Sequence, residues 1–228
     1  LDVGEQLLFG RLAVFAGGWT LDAAEAICPA GGELSIRVLD GLHALLDKHL
    51  VQQQLAADGE PRFTMLETIR EYALARLTER GEAPAMQLAH ALYFCDMAER
   101  AELALRGPDQ VAWLDRLEEE QANLRAALAV CLETRDLRLE PGDPGRGDTS
   151  LQPPASSLNV IGLRLAGALA VFWKGRSHLS EGRNLLARAL DAAPQQMPAS
   201  AADSRAALAA RAKALAGAGV LAVFQGDH

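Results

Sequence analysis

Cysteine is scarce in this chain: three residues in 228, Cys28, Cys95 and Cys131, widely separated and in no CxxC arrangement. Their odd number leaves at least one thiol unpaired, which argues against a disulfide framework. Also missing is a basic segment followed by an apolar one at the start, which reads Leu1-Asp2-Val3-Gly4-Glu5. Nothing there directs export, so a cytoplasmic chain cut from a longer protein is expected. No run approaches the roughly 18 consecutive apolar residues that span a bilayer, so no membrane segment is expected. Positive charge is in deficit: 22 Lys and Arg stand against 30 Asp and Glu, a net charge of -8, and the pI is near 5.2. Such a chain neutralises phosphates poorly, which argues against DNA contact and against docking on anionic lipid. The phosphate-cradling pattern Gly-x-x-x-x-Gly-Lys-Ser/Thr is absent as well, so ATP hydrolysis is not expected within these residues.

What is present is enough apolar matter for a core. Half of the residues are hydrophobic and the mean hydropathy is +0.03, which excludes wholesale disorder. At about 150 residues per domain the length fits one large domain or two small ones.

Apolar residues recur at helical spacing almost throughout. Three helices are predicted first: Glu5 to Phe15, Leu21 to Ile27 with Thr20 as N-cap, and Leu34 to Lys48. The periodicity then changes. Leu50 to Leu55 and Arg62 to Met65 are two short extended runs joined by Asp58-Gly59, the signature of a β-hairpin. A fourth helix follows, with Leu66, Ile69, Ala73 and Leu77 on its apolar stripe and Gly81 closing it. Three helices, a two-stranded β-wing and a packing helix predict a winged-helix domain at residues 1–81.

Residues 82–228 read as an antiparallel helical array. Ala85 to Leu105 is predicted as one helix and Asp109 as the cap of the next, which carries Trp113, Leu117, Leu124 and Leu128. Prolines, glycines and few residues worth burying predict a flexible loop at about 135–157. Leu169, Ala170 and Trp173, then Gly182, Leu186 and Ala189, then Pro194 fit the 34-residue tetratricopeptide (TPR) frame. Leu215, Gly219 and Ala222 start the frame again, with an insertion before Ser204. One helix of such a pair leaves an apolar face bare, so a following helix is expected. The fold class expected is therefore mainly α: a winged helix with a small β-wing, then a TPR-like array.

Chemistry-bearing groups are sparse. Gly17-Gly18 and Gly31-Gly32 read as turns. His43 and Asp47, one helical turn apart, fall short of a metal site, and no metal residue is assigned. His90 and Cys95 point in different directions on a helix, and Glu118-Glu119-Glu120 reads as a solvated charged face, so no catalytic residue is assigned. Arg146-Gly147-Asp148 is taken as a chance adhesion tripeptide. Direct DNA reading is the main competitor, since a winged helix commonly inserts its third helix into the major groove. Residues 1–81 hold seven basic and twelve acidic residues, net -5, which disfavours it.

Four ordered motifs carry a resemblance: Leu12-Ala13-Val14-Phe15-Ala16-Gly17-Gly18-Trp19-Thr20-Leu21, Leu45-Leu46-Asp47-Lys48-His49-Leu50-Val51, Met65-Leu66-Glu67-Thr68-Ile69-Arg70-Glu71-Tyr72-Ala73 and Trp113-Leu114-Asp115-Arg116-Leu117-Glu118. Together they resemble the region after the nucleotide-binding domain of bacterial STAND ATPase transcriptional regulators, relatives of the NB-ARC switches. The resemblance implies a regulatory segment that is not itself an enzyme. Its winged helix would pack on the protein's own upstream ATPase domain, and its repeats would bind a protein or small inducer. ATP or ADP would belong to the longer protein, with no cofactor held here. NB-ARC relatives carry Met-His-Asp at the end of the wing, where the histidine touches the ADP phosphate. Met65, Leu66 and Glu67 take the matching positions as interdomain or nucleotide-sensor residues, and Leu66 offers no donor. Packing of Leu66 in the core and a Glu67–Arg70 pair are expected instead. Phe172, Trp173 and Lys174 are the candidates for partner binding on the array, with Trp173 expected in the core.

Overall fold

A computed structural model describes residues 1–29, 34–56, 59–133, 155–192 and 201–226, without the side chains of 155–157 and 201–203. The expected loop at about 135–157 therefore lies largely outside the described residues, as do Gly31-Gly32, Asp58, Arg146-Gly147-Asp148 and Pro194. The chain divides into two compact units, Leu1–Tyr93 and Phe94–His228, and the division falls within one helix, α5 (Ala83–Ala104).

In the first unit, helix α1 (Val3–Leu12) starts at a capping box: the Asp2 carboxylate accepts from the Glu5 amide at 2.7 Å and the Glu5 carboxylate accepts from the Asp2 amide at 2.8 Å. Such a cap contributes about 1 kcal/mol. A three-residue strand β1 (Gly18–Thr20) follows, then α2 (Leu21–Ile27), where Thr20 Oγ1 accepts from the Ala23 amide at 3.2 Å, the predicted cap. Helix α3 (Val38–Asp47) lies close against α1, because Gly41 has no Cβ: one placed there would stand 2.3 Å from Leu8 Cδ2.

Strands β2 (Gln52–Leu55) and β3 (Pro61–Thr64) form the wing. Gly59, at φ +84°, supplies the left-handed turn residue between them, a conformation that costs a side-chain-bearing residue about 1 kcal/mol or more. Strand β1 pairs antiparallel with the other edge of β3, Trp19 opposite Phe63, giving a three-stranded sheet in the order β1-β3-β2 where sequence predicted two strands. Helix α4 (Glu67–Glu79) ends at Gly81, φ +75°, as its sequence predicts. Leu8, Leu12, Phe15, Trp19, Ile27, Leu42, Leu45 and Leu77 are each at most 1% exposed and make the core of this unit. The rings of Phe15 and Trp19 stack at 5.2 Å between centroids.

In the second unit the helix expected from Asp109 to Leu128 is two: α6 (Gln110–Glu119) and α7 (Gln121–Glu133). Asp109 occupies the cap position of α6 without a side-chain cap bond. The break at Glu120 turns that residue inward, and its carboxylate accepts from Asn123 Nδ2 at 2.7 Å. Glu120 is thus not part of a solvated face, which corrects the reading of Glu118-Glu119-Glu120.

Helices α8 (Ala155–Gly175), α9 (Leu179–Ala192) and α10 (Ala201–Gln225) complete the unit. Small residues let α8 and α10 approach: a Cβ on Gly217 would sit 2.8 Å from the Ala170 Cβ. Trp173, Leu186 and Ala189 are buried as the repeat frame predicts. In α10 the frame shifts: Leu215 is 53% exposed and Gly219 is exposed, while Ala214, Gly217 and Leu221 make the buried contacts. Both α8, over Leu158–Gly175, and α10, over Ser204–Gln225, are long and apolar enough to cross a membrane on length and composition. A residue-by-residue reading stops each run at its charges, whereas the helix average does not, which narrows the expectation drawn above. The α8 segment is 72% buried, as a core helix is, and the α10 segment 22% buried.

Candidate functional site

The winged helix offers its surface charge as the first thing a partner would meet. Arg11 donates to Glu82 at 2.7 Å, and Arg80 reaches the other oxygen of Glu82 at 2.9 Å. Arg37, one residue before α3, grips Asp40 with two bonds of 2.7 and 2.9 Å. Lys48, just after α3, donates to Glu5 at 2.6 Å. On α4, Arg70 holds Glu67 at 2.6 and 3.0 Å, and Arg76 bonds Glu79. Arg62, the seventh cation of residues 1–81, donates to the Gly18 carbonyl at 3.1 Å.

Arg11, Arg37, Lys48, Arg70, Arg76 and Arg80 therefore each face a carboxylate of the chain itself. Surface ion pairs contribute little to stability, but each cancels a charge that phosphate binding would need. The pKa directions agree. Glu5 is held below the ordinary carboxylate value, first by its bond from Lys48, and Glu67 first by its bond from Arg70. Partial burial pushes Glu82 up, but the bonds from Arg80 and Arg11 outweigh it and its pKa is lowered. Along the expected recognition helix, Leu34 to Lys48, the exposed positions are Ser35, Arg37, Asp40, His43, Asp47 and Lys48, of which Asp40, His43 and Asp47 lie on α3 itself.

The positions matching the NB-ARC sensor separate. Met65 is 8% exposed and packs in the core, whereas Leu66 is the N-cap residue of α4 and 54% exposed. Core packing of Leu66 is therefore corrected: the helix begins one residue later, and the extended cap conformation turns Leu66 outward. The expected Glu67–Arg70 pair is present, and Arg70 also donates to the Ala13 carbonyl at 3.2 Å. An apolar Leu66 beside an arginine already holding a carboxylate does not fit a nucleotide phosphate, and no nucleotide-sensing step is assigned to Met65, Leu66 and Glu67.

On α8, Phe172 and Trp173 are 1% and 2% exposed, so both face the interior. Trp173 packs where a Cβ on Gly182 of α9 would stand 2.7 Å from its ring. Lys174 is exposed, its Nζ 4.3 Å from the centre of the Phe224 ring. An additional surface feature, not singled out by spacing, is a cavity of about 300 Å³ lined by Arg125, Ala129, Glu181, Asn184, Leu185 and Arg188. Glu181 closes one side by accepting two bonds from Arg125, at 2.5 and 2.7 Å.

His90 and Cys95 are both buried; His90 packs edge-on to Phe15 at 5.6 Å, and Cys95 points to the Ile161 carbonyl. Burial pushes the thiols of Cys28, Cys95 and Cys131 up to about 12, far from nucleophilic at neutral pH. Among the described residues, no group of three or more His, Cys, Asp and Glu is placed to hold a metal ion.

The architecture of the first unit has a counterpart among known families: residues 1–78 match the family model of the winged helix-turn-helix domain. That is the class of the N-terminal unit. Among curated proteins, the chain is 36% identical over 182 residues to one named "Putative HTH-type transcriptional regulator" from Mycobacterium tuberculosis and to its namesake from Mycobacterium bovis, covering 78% of this chain and 17% of each relative. It is also 37% identical over 83 residues to an "Uncharacterized protein" of Mycobacterium tuberculosis, covering 36% of this chain and 21% of that one. The chain thus spans less than a fifth of the length of the first of these relatives, at 17%. No solved structure matches it.

Proposed function

We propose that this chain acts in transcriptional regulation as a non-enzymatic regulatory segment of a STAND ATPase regulator. Its winged helix docks on the protein's own ATPase domain, and its TPR-like array, residues 82–228, binds a protein or small inducer. ATP and ADP belong to that ATPase domain and the setting is cytoplasmic. Binding at the array would bias how the winged helix packs, a population shift between two packings.

The observation that carries this reading is the engagement of the winged-helix cations with the chain's own carboxylates, on a region of net charge -5. A surface of that kind repels a duplex and suits protein. Exposed Leu55 on the wing, at 75%, and Tyr72 on α4, at 60%, add apolar contact area of the sort a protein partner covers. Names of the relatives support the regulatory class, and the four motifs support the STAND context.

The competing reading, direct DNA recognition by the winged helix, draws on the winged helix-turn-helix match. The two are separated by joining this chain to the upstream reading frame. Under the docking account that frame contains a Walker motif, and the winged helix protects its ATPase domain from proteolysis in a nucleotide-dependent way. An upstream frame without a phosphate-binding loop overturns the account.

A further inference from the structure

Helix α9 carries two sets of residues at helical spacing. Gly182, Leu186 and Ala189 are buried. Glu181, Asn184, Leu185 and Arg188, the last three spaced 3, 4 and 7 residues from the first, form a second stripe that is exposed or half-buried. Arg125 and Ala129 of α7, one turn apart, meet that stripe, and the six residues line the cavity of about 300 Å³. Helix α10 contributes none of them. Ala129 leaves the space open, since a longer side chain there would fill it, and with Leu185 it gives the cavity an apolar lining.

The two arginines are not equivalent. Arg125 donates to both oxygens of Glu181, so those two charges cancel. Arg188 is exposed and, among the described residues, has no ion-pair or hydrogen-bond partner. Elsewhere in the same unit Arg164 is held by Glu99 and Arg176 by Asp115. Two guanidiniums against one carboxylate leave this cavity one positive charge, on a chain whose net charge is -8. Asn184 adds an amide able to donate beside that charge.

We infer that the cavity binds a small organic monocarboxylate with an aliphatic body. Its carboxylate pairs with Arg188, whose planar fork suits that group, and accepts from Asn184, while the aliphatic part lies against Ala129 and Leu185. A dianion such as phosphate carries more charge than one free cation neutralises and is repelled by Glu181; an ammonium ligand meets Arg188 and finds Glu181 already taken. At about 300 Å³ the cavity stands at the lower end of ligand sites, which suits a molecule of about ten non-hydrogen atoms. The inference names the chemical class of inducer for the array and rests on the regulatory reading above for that role only.

Isothermal titration calorimetry of the 228-residue chain with octanoate tests it. A ligand of that size binds with a Kd of about 0.1–1 mM, weakening as salt rises. Arg188→Gln weakens octanoate at least tenfold, whereas Arg205→Gln, at an exposed arginine on α10, leaves it unchanged. Arg188→Glu loses octanoate and gains octylamine, because one positive charge in the cavity becomes one negative. These substitutions lie at exposed side chains, and their far-ultraviolet circular dichroism matches the parent. Ala129→Leu removes binding with every charge kept. Amide chemical-shift changes on adding octanoate centre on Arg125, Ala129 and the Glu181 to Arg188 segment. Absence of binding at ten times the expected Kd overturns the inference. So does a parent chain that binds octylamine or inorganic phosphate as well as octanoate, or octanoate binding indifferent to Arg188→Gln. None of these results bears on the ATPase context, which the upstream reading frame tests by itself.

Discussion

Replacing Gly182 by alanine sets two known effects against each other. Within a helix the change gains up to about 1 kcal/mol, because glycine loses more backbone entropy on folding. Here the new Cβ would stand 2.7 Å from both Leu221 Cδ1 and the Trp173 ring. Neither neighbour has room to retreat, as Leu221 is 0% and Trp173 2% exposed. Overpacking of this kind costs about 1–3 kcal/mol, so a net loss of about 1–2 kcal/mol is expected. Gly219→Ala is the matched control: it lies on α10 with nothing within 4 Å, and only the helical gain of about 0.5–1 kcal/mol remains. Urea unfolding followed by far-ultraviolet circular dichroism reads both changes. If Gly182→Ala stabilises as much as Gly219→Ala, α9 does not seat on Trp173 and the packing of the array is wrong.

Stability is expected to be level near neutral pH and to fall on acidification. Glu99 is held below its ordinary pKa first by its bond from Arg164, and Glu181 first by its bond from Arg125. A carboxyl lowered in the folded state stabilises above its unfolded pKa, about 4.3, and that contribution is lost as pH drops through the folded value. Urea midpoints should therefore decline below about pH 4.5, and less steeply in Glu99→Gln. Met65→Ala is expected to cost about 2–5 kcal/mol and Leu66→Ser under about 0.5 kcal/mol, as thermal melts will show, because the first is 8% and the second 54% exposed. A thiol reagent at mildly alkaline pH should label none of the three cysteines until denaturant is added, since burial holds each near 12; rapid native labelling, read by mass spectrometry, contradicts that burial.

Much of the first unit is written locally. Thr20 before an apolar run and Gly59 between two extended runs act through their own side chain or backbone, so the cap at α2 and the wing are legible in sequence. Strand β1 is not: three residues show no periodicity, and Gly18–Thr20 become a strand only because β3 presents an edge to them. The same holds for Glu120, where a helical pattern continues in sequence although the backbone breaks and its carboxylate is satisfied by Asn123 inside the unit. Leu66 misleads in the opposite direction, an apolar residue in register with a stripe that the cap geometry turns outward. For the candidate site, the net charge of the winged helix is visible in composition. The partners that occupy each cation are visible only in part: Glu67 with Arg70 follows from helical spacing, while Glu5 with Lys48 and Arg11 with Glu82 bridge 43 and 71 residues.

The account rests on a winged helix that meets protein and leaves phosphates alone. Fluorescence anisotropy of a labelled mixed-sequence duplex, titrated with this chain at low and at physiological salt, tests that most directly. The prediction is no saturable binding at physiological salt and at most a trace at low salt. A tight complex at physiological salt, with an affinity that falls steeply as salt rises, would contradict it.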